Sequence, residues 1–344
     1  MSKKVLITGG SGYFGEKVVS RFIDLGYECS ILDINPPSLD LKVNFFQTDI
    51  RNKEEVIKAC KDIDIIIHCV AQVPLAKDKE LFESVNYTGT KNILEASSIN
   101  KIKHFIYISS SAIYGIPDSN PVTENSPTIP CEEYGQAKLD GEKLAEEYSK
   151  KNFNTTIIRP RTIIGPGRLG IFQILFEWIY QGSNIPVFDQ GANIYQFVHS
   201  DDLVNSIVLS CEKEVYGVFN IGTENYCSMR ETLQSVIDHS KSKSKIKSLN
   251  SKLIIPFMNF FSFIGFSPLG AYHAKMYGKS LFFNLSKSKE ELGWTSKFSN
   301  TQMMKENYDW YVTNRDSILN SNESKSHHKS IVKQKVLKIV SKFL

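Results

Sequence analysis

Residues 5–15 read VLITGGSGYFG, an apolar run that ends in glycines at Gly9, Gly12 and Gly15. A helical pattern follows at once over 16–25. A strand, a glycine turn and a helix in this order bring backbone N–H groups and the positive end of a helix to one point, where a pyrophosphate can bind. This stretch therefore predicts the first unit of a dinucleotide-binding fold.

Apolar or β-branched runs alternate with helical patterns along the first half of the chain. The predicted strands are 5–8, 29–33, 43–47, 63–68, 104–109 and 155–159, and the predicted crossover helices include 16–25, 53–61, 87–98 and 134–151. Because parallel strands need crossover helices that cover both sheet faces, we predict an α/β fold, a Rossmann-type doubly wound parallel sheet. Its ligands belong at the carboxyl ends of the strands.

Beyond residue 159 the alternation becomes irregular. We predict a dinucleotide-binding domain over 1–160, to which 194–222 returns, and a smaller, discontinuous C-terminal substrate domain from 161–193 and 223–312. A basic tail follows at 313–344; it carries a formal +5 and leaves −1 for the rest of a chain whose total is +4. The body of the protein therefore gives no support to nucleic-acid binding.

Asp33 ends the second predicted strand. A carboxylate there can accept both ribose hydroxyls of an adenosine and would repel a 2′-phosphate. No Arg or Lys follows before Lys42, which favours NAD over NADP as the cofactor. The alternative for Asp33 is a cap of the turn at 33–36. Asp49 and Ile50, after the third strand, are predicted to lie near the adenine.

Tyr134 and Lys138 are four residues apart and therefore lie on one face of the predicted helix 134–151. A phenol has a pKa near 10, and a nearby ammonium lowers that pKa by stabilising the phenolate. The pair can thus transfer a proton near neutral pH. Upstream, SSSAIYG at 109–115 follows an apolar strand and supplies a hydroxyl that can hold a substrate oxygen near Tyr134.

With these motifs the chain resembles, over 3–312, the extended short-chain dehydrogenases/reductases, the superfamily of UDP-galactose 4-epimerase and the 3β-hydroxysteroid dehydrogenases. The likeness includes HCVA at 68–71, VNYTGT at 85–90, RP at 159–160, GPG at 165–167, FVHSDDL at 197–203 and FNIG at 219–222. It implies Ser111 as the catalytic hydroxyl, Tyr134 as the acid–base, and Lys138 as activator and ligand of the nicotinamide ribose. The residues then predicted to bind NAD are Gly9, Gly12, Tyr13, Phe14, Gly15, Asp33, Asp49, Ile50, Ala71, Asn86, Tyr134 and Lys138.

Departures from the family pattern concern the substrate. Nucleotide-sugar members usually have an Asn and an Arg, both in contact with the sugar diphosphate, where this chain has Thr162 and Tyr195. Arg161 and Arg168 are candidates to replace that charge, and purely structural cations are the equal alternative. The predicted substrate residues are therefore Arg161, Thr162, Arg168 and Tyr195. Ser111 lacks the acidic pair that follows the hydroxyl residue of 4,6-dehydratases, which disfavours dehydration.

We therefore predict an NAD-dependent epimerase or oxidoreductase that acts on a secondary hydroxyl of a nucleotide sugar: Tyr134 removes the proton while a hydride passes to NAD. Net oxidation of a lipophilic, sterol-like alcohol and a non-catalytic NAD-binding protein are the alternatives. No metal is expected, since His199 with Asp201 and Asp202 matches a structural connection of the family. Six scattered cysteines and the absence of an export signal favour the cytoplasm.

Two segments leave their roles open. The uncharged, phenylalanine-rich stretch 253–274 fits a buried hinge of the substrate domain, or a lipophilic mouth or interfacial patch. The stretch 330–344 has apolar residues at helical spacing opposite lysines, which fits either a peripheral helix at the inner face of a membrane or a solvated tail. The resemblance also implies a homodimer built on two helices.

Overall fold

The computed structural model describes residues 2–38, 42–72, 79–253 and 278–320, and in this part of the chain the central feature is a seven-stranded parallel sheet. Its strands run in the order β10–β6–β5–β4–β1–β2–β3. The bounds are β1 Lys4–Thr8, β2 Glu28–Asp33, β3 Asn44–Gln47, β4 Ile65–His68, β5 His104–Ile108, β6 Thr155–Pro160 and β10 Gly217–Ile221.

Strand β1 lies where the strand order reverses. Val5 pairs with Cys29 of β2 on one side and with Ile65 of β4 on the other. The chain first moves outward to β2 and β3 and then returns across β1 to β4, β5 and β6. Loops leave β1 and β4 in opposite directions at this point, which opens a crevice at their carboxyl ends. The predicted Rossmann-type α/β fold is confirmed.

Helices cover both faces of the sheet. Alternate residues of β1 point to opposite faces: Val5 and Ile7 pack in a cluster with α1, whereas Leu6 packs in another with α2 and α3. The helix bounds are α1 Tyr13–Asp24, α2 Lys53–Ala59, α3 Gly89–Ile99, α4 Glu133–Ser149, α5 Ile171–Tyr180, α6 Ser200–Lys213, α7 Met229–Ser240, α8 Ser286–Leu292 and α9 Asn300–Asn320.

The helix predicted from residue 87 begins differently in the structure. A π-helical segment, Phe82–Thr88, precedes α3. Such wide turns are rare and often accompany functional sites. The apolar periodicity of this region does not reveal the change of pitch, because a segment of seven residues makes fewer than two turns.

Residues 194–222 rejoin the central sheet only through β10. The strand before it, β9 Phe197–His199, instead pairs with β7 Thr162–Ile164 in a separate two-stranded sheet. A second small sheet joins β8 Ile185–Phe188 to β11 Ile246–Leu249. A third hydrophobic cluster lies among α5, α7 and α9, away from the central sheet, with Phe176, Leu233 and Tyr311 buried in it.

The segments 254–277 and 321–344 lie outside the described residues. The predicted hinge or lipophilic mouth at 253–274, apart from Leu253, and the predicted basic helix at 330–344 both fall there. Among the helices of the described part, none combines the length and the apolar character needed to cross a membrane.

Candidate active site

The glycine loop joins β1 to α1. Gly9 has a φ of +70°, and a Cβ on it would lie 2.9 Å from the backbone N of Val70. A Cβ on Gly15 would lie 2.0 Å from the carbonyl O of Gly9. Gly12 immediately precedes the first turn of α1. Only glycine permits these approaches, and the bare backbone that results can come close to a pyrophosphate.

Asp33 stands at the end of β2 beside this loop. Its Oδ2 accepts a hydrogen bond from Ser11 N at 3.1 Å, and its Oδ1 accepts one from Asn35 N at 3.0 Å. Burial raises the pKa of the Asp33 carboxyl, while the backbone hydrogen bonds act in the opposite direction. Asp33 therefore caps its turn, and each oxygen retains acceptor capacity for a ribose hydroxyl.

The two residues predicted near the adenine follow β3. Asp49 Oδ2 lies 2.6 Å from Arg51 Nη2, and hydrogen bonding to Arg51 lowers the pKa of Asp49. Ile50 is buried, with its carbonyl accepting from Asn92 Nδ2 at 3.1 Å and its side chain 2.6 Å from where a Cβ on Gly89 would lie. Ile50 thus fixes the crevice wall, while the Asp49 carboxylate is held by Arg51.

Tyr134 lies in the first turn of α4. Glu132 caps that helix by accepting from Tyr134 N at 3.0 Å. Burial raises the pKa of the Tyr134 hydroxyl to about 12, and a hydrogen bond with the Ser110 side chain lowers it. Ser110 Oγ also accepts from Ala112 N at 3.1 Å, which starts the 3₁₀ turn Ser111–Tyr114. The structure therefore brings two hydroxyls, those of Ser110 and Tyr134, together.

Ser111, the hydroxyl predicted to work with Tyr134, is hydrogen-bonded to a different residue. Its Oγ accepts a hydrogen bond from Arg161 Nη1 at 2.7 Å. Three consecutive serines follow β5, and the sequence contains no signal for which of them turns towards the tyrosine. In the structure the hydroxyl that interacts with Tyr134 is that of Ser110, and the catalytic role of Ser111 stays a prediction.

Lys138 is 3% exposed and lies one helical turn after Tyr134. Its Nζ donates to the carbonyl O of Ile108 at 2.8 Å and sits 5.0 Å from the Tyr107 ring centroid. Burial lowers the pKa of Lys138 to about 8. We expected this ammonium to lower the pKa of Tyr134, but the cation that does so in the structure is Arg168. The bond to β5 accounts for the difference, because it directs Nζ to the main chain.

Asn86 orders the loop after β4, which carries Ala71. Its Oδ1 accepts from Gln72 N at 2.7 Å and its Nδ2 donates to Gln72 O at 3.0 Å. The Asn86 side chain thus satisfies both main-chain groups of Gln72, as a neighbouring β-strand would. The side chain of Asn86 comes from the π-helical segment, so the wide turn and the loop geometry are linked.

His68 is a buried neighbour of this loop that sequence reasoning did not assign. The Thr90 hydroxyl donates to Asn86 O at 2.6 Å, so it accepts from His68 Nε2 at 3.1 Å, and His68 Nδ1 then accepts from the Thr8 hydroxyl at 2.6 Å. Burial lowers the pKa of His68 to about 3. The imidazole is therefore neutral and serves to join β1, β4 and α3.

A buried ion pair between Arg159 and Glu142 contacts the 3₁₀ turn Ser111–Tyr114 through Tyr114. Arg159 bonds Glu142 through Nε and Nη2, the latter at 2.6 Å, and its Nη1 donates to the Tyr114 hydroxyl at 2.8 Å. Tyr114 in turn donates to Asn220 Oδ1 at 2.9 Å. Sequence reasoning noted Arg159 and Asn220 only as parts of family motifs. The structure shows that this hydrogen-bond network connects β6, α4 and β10 through Tyr114.

A second group of predicted residues lies at the carboxyl end of β6. The Arg161 guanidinium carbon is 4.7 Å from the Tyr195 ring centroid and 5.6 Å from that of Phe283. Thr162 Oγ1 and the Tyr195 hydroxyl are hydrogen-bonded at 2.9 Å. The structure thus brings Arg161, Thr162 and Tyr195 together with Ser111.

Arg168 is separate from that group and belongs to the side of the glycine loop. Its guanidinium carbon is 5.7 Å from the Tyr13 ring centroid. Burial lowers the pKa of Arg168, whereas the nearby Tyr13 and Tyr134 raise it. Phe14, the next residue of the loop, packs against the sheet core. Arg168 therefore lies between the glycine loop and Tyr134, and not with Arg161.

His199 and the two aspartates after it have structural roles. His199 Nδ1 accepts from Asp201 N at 3.2 Å and begins α6, and Asp202 Oδ2 accepts from the backbone N of Lys297 at 3.0 Å and of Phe298 at 3.2 Å. Within the described ranges no three His, Cys, Asp or Glu side chains are grouped so as to hold a metal ion.

The model of the NAD dependent epimerase/dehydratase family matches residues 5–222. That span holds the glycine loop, Ser110, Tyr134 and Lys138. The chain belongs to the NAD-dependent epimerase/dehydratase family. It is accordingly an NAD-dependent enzyme of the epimerase/dehydrogenase type, and the predicted membership of the extended short-chain dehydrogenase/reductase superfamily is confirmed.

Relatives support this membership across most of the chain. An uncharacterized protein of Sinorhizobium fredii is 43% identical over 340 residues, 98% of this chain and 85% of that protein. A putative UDP-glucose 4-epimerase of Methanocaldococcus jannaschii is 30% identical over 252 residues, 68% and 81% of the two chains. Human sterol-4-alpha-carboxylate 3-dehydrogenase, decarboxylating, is 31% identical over 217 residues, 62% of this chain and 58% of its own.

A solved structure shows the same fold. The UDP-glucuronic acid 4-epimerase from Bacillus cereus, in complex with UDP-glucuronic acid and NAD, superposes with a TM-score of 0.75 at 24% identity. The match covers 90% of this chain and 99% of that one.

The residues at the crevice fit NAD, the cofactor of the family. The cradle at Gly9 and Gly15 would be filled by any Cβ. Ser11 Oγ, in the same loop, is a buried atom with no hydrogen-bond partner in the described part of the chain. A buried hydroxyl of this kind is costly unless a ligand satisfies it.

Proposed function

We propose that the chain epimerises a secondary hydroxyl of a nucleotide sugar by reversible hydride transfer. The observation that carries this proposal is the Ser110–Tyr134 pair of hydroxyls near the carboxyl end of β5, with buried Lys138 one helical turn away. The relative named as a putative UDP-glucose 4-epimerase supports a nucleotide sugar as the substrate class.

The proposed NAD site runs along the crevice. Loop N–H groups would face the pyrophosphate, Asp33 would accept the adenosine ribose hydroxyls, and Lys138 would bond the nicotinamide ribose. Asn86 would act indirectly, through the Gln72 main chain. The chemistry that NAD supplies when bound is reversible acceptance of a hydride. We propose the same residues for this site as the sequence predicted.

Tyr134 is the proposed acid–base. As a phenolate it takes the proton of the substrate hydroxyl while the hydride leaves the same carbon, and it later returns that proton. Burial works against the phenolate, whereas the bond to Ser110 and the charge of Arg168 favour it. The Ser110 hydroxyl can also donate to the substrate oxygen and hold it against Tyr134.

Loss of the proton and the hydride turns the carbinol carbon into a ketone. Return of the hydride to the opposite face of that ketone gives the epimer. Each turnover then restores the starting oxidation state, so an epimerase forms no net NADH.

The test begins with mass spectrometry of the small molecules released from protein purified without added cofactor. The protein is then incubated with UDP-glucose, UDP-galactose and the corresponding dTDP-sugars. Retained NAD, and conversion of one sugar into its epimer without net NADH, would support the proposal. Inert sugars together with NADH formation from a hydrophobic alcohol would refute it.

Two pairs of variants test the residue roles. Tyr134→Phe should lower kcat by about 10²- to 10⁴-fold while NAD stays bound, because it removes only the proton carrier. Tyr148→Phe, on the same helix, is its control. Ser110→Ala should cost about 10²- to 10³-fold, the range for loss of one donor to a reacting oxygen, and Ser111→Ala much less. A larger loss in Ser111→Ala than in Ser110→Ala would contradict our assignment.

A second candidate is net oxidation of a lipophilic alcohol. The sterol dehydrogenase relative favours it, as do Thr162 and Tyr195 at positions where nucleotide-sugar enzymes usually carry Asn and Arg. The match spans only 58% of that relative. Cofactor exchange separates the candidates, since a net dehydrogenase must release NADH at every turnover.

We also propose that different segments of the chain bind the cofactor and the substrate. Residues 1–160, with β10 from 194–222, would bind NAD, and 161–193 with 223–312 would bind the substrate. The separate hydrophobic cluster among α5, α7 and α9 supports this division, because a domain is built around its own core.

A further inference from the structure

Glu132 is the N-cap residue of α4, the helix whose first turn carries Tyr134. Its backbone is extended, and its carboxylate accepts from Tyr134 N at 3.0 Å and from Gly135 N at 2.8 Å. The preferred N-cap residues are the shorter Ser, Thr, Asp and Asn, whose side chains accept from one of these two N–H groups. The longer side chain of Glu132 bonds both, one with each oxygen, which is the arrangement of an ionised carboxylate.

The first turn of α4 packs closely against the 3₁₀ turn that follows β5. A Cβ on Gly135 would lie 2.7 Å from the carbonyl O of Ala112, so only glycine permits this approach. The N–H of Ala112 in turn donates to Ser110 Oγ at 3.1 Å. The position of Tyr134 relative to Ser110 therefore depends on how the N-terminus of α4 meets the 3₁₀ turn, and Glu132 bonds the two N–H groups at that point.

The charge of Glu132 also acts on the Tyr134 hydroxyl. Burial is the main cause that raises the pKa of this hydroxyl to about 12; the bond with Ser110 lowers it, the charge of Glu132 raises it, and the charge of Arg168 lowers it. The other rings and titratable groups around the pair are those of Phe82, Tyr107, Glu133 and Lys138. Glu132 and Arg168 are thus opposite charges with opposite effects on one proton.

We infer that Glu132 is a positioning residue for Tyr134: its carboxylate fixes the first turn of α4 against the 3₁₀ turn, and its negative charge holds the proton on the Tyr134 hydroxyl. The inference rests on the proposed function for the role of Tyr134 as acid–base. An acid–base that takes a proton and returns it within one turnover needs a fixed place and a balanced hold on that proton. Glu132 contributes to both, whereas Arg168 favours loss of the proton.

Three variants separate the cap from the charge. Glu132→Asp keeps an N-cap and a charge, Glu132→Ser keeps an N-cap without the charge, and Glu132→Ala keeps neither. Ser228→Ala, which removes the cap of α7, is the control for an ordinary loss of helix stability. Glu147→Gln, exposed on α4, is the control for loss of a surface charge. All proteins are studied with the NAD that they retain on purification.

Two of the measurements need no substrate. Hydrogen exchange at the N–H groups of Tyr134 and Gly135 measures the cap: Glu132→Ala should speed exchange by about 2- to 30-fold, the range for loss of an N-cap, and Glu132→Ser much less. NMR of protein with isotope-labelled tyrosine, assigned with Tyr134→Phe, measures ionisation of the hydroxyl. Its midpoint should fall by about half a pH unit or more in Glu132→Ser and Glu132→Ala, and stay near the wild-type value in Glu132→Asp and both controls.

Turnover of UDP-glucose and UDP-galactose then separates this inference from the proposed function. The rise of kcat with pH, which follows deprotonation of Tyr134, should begin at a lower pH in Glu132→Ser than in wild type. A shifted tyrosine titration with both sugars inert would uphold the role of Glu132 and overturn the nucleotide-sugar proposal. Full turnover by Tyr134→Phe would overturn the acid–base assignment, and this inference with it.

A purely structural role for Glu132 gives a different result. If the side chain only stabilised α4, Glu132→Ala would lower the thermal midpoint as Ser228→Ala does, and the tyrosine titration would not move in any variant. That result, or unchanged exchange at Tyr134 N in Glu132→Ala, would overturn the inference and leave the epimerase proposal standing. If Glu132→Ala fails to fold, Glu132→Ser against Glu132→Asp still decides the effect of the charge.

Discussion

Replacing Lys138 with Met should stabilise the cofactor-free protein at pH 7, although it removes a residue of the proposed site. The buried ammonium of Lys138 has a pKa of about 8, against a usual value of 10.5. A difference of about 2.5 in pKa corresponds to about 3 kcal/mol, the cost of keeping this side chain charged in the folded protein. Methionine avoids that cost but leaves Ile108 O without its donor, which offsets about 1–2 kcal/mol. The expected net gain is about 1–2 kcal/mol.

The stabilisation by Lys138→Met should depend on pH. The pKa of Lys138 is lower in the folded than in the unfolded protein, so between pH 8 and 10.5 the unfolded chain binds more protons and wild-type stability rises with pH. The variant lacks this rise. Its advantage should therefore be fully present below pH 8, decrease as the pH rises above 8, and give way near pH 10.5 to a disadvantage of about 1–2 kcal/mol from the lost donor to Ile108 O.

Urea unfolding of both proteins at pH 7, 8, 9 and 10 measures this difference, because the other titrating groups are common to both. Lys143→Met, an exposed position on the same helix, should change the free energy of unfolding by less than about 0.5 kcal/mol. A difference between Lys138→Met and wild type that does not change with pH would refute the reasoning.

Two further substitutions probe the crevice and its support. Gly15→Ala should abolish NAD retention, since its Cβ would lie 2.0 Å from Gly9 O. Gly12→Ala, whose Cβ would lie 3.3 Å from the same atom, should reduce NAD retention less, and the NAD content of the two purified proteins measures the difference. Glu142→Gln should destabilise the protein by about 3–5 kcal/mol because it leaves Arg159 buried without its anion, while Glu147→Gln, exposed on the same helix, should have little effect in urea unfolding.

The sequence was sufficient for the sheet and the glycine loop because their signals are local. Each buried strand is a short apolar run, and the glycines of the loop are identified directly by their positions in the sequence. The bounds of α1 and α4 differ from those predicted by only a few residues at either end, which is the ordinary variation of helix ends.

Side-chain direction was the part that could not be predicted. Ser110 and Ser111 are the same residue type, and the start of a 3₁₀ turn between them decides which one meets Tyr134. Likewise, i, i+4 spacing places Lys138 on the face of Tyr134, but only the fold shows that its Nζ reaches a carbonyl of β5. The charge of Arg168, a residue 34 positions away in the chain, lowers the pKa of Tyr134, and no periodicity of the sequence encodes that interaction.

The central sheet cannot be completed during translation until its last strand, β10, has been synthesised. Strand β10 pairs with β6, yet residues 161–216 must be synthesised between them. Until then β6 is an unpaired edge, and Asn220 is missing from the polar network around Arg159. Exposed strand edges are where nascent chains aggregate. Truncations that end between residues 165 and 215 should therefore be insoluble, and chaperone dependence should end once Ile221 has left the ribosome.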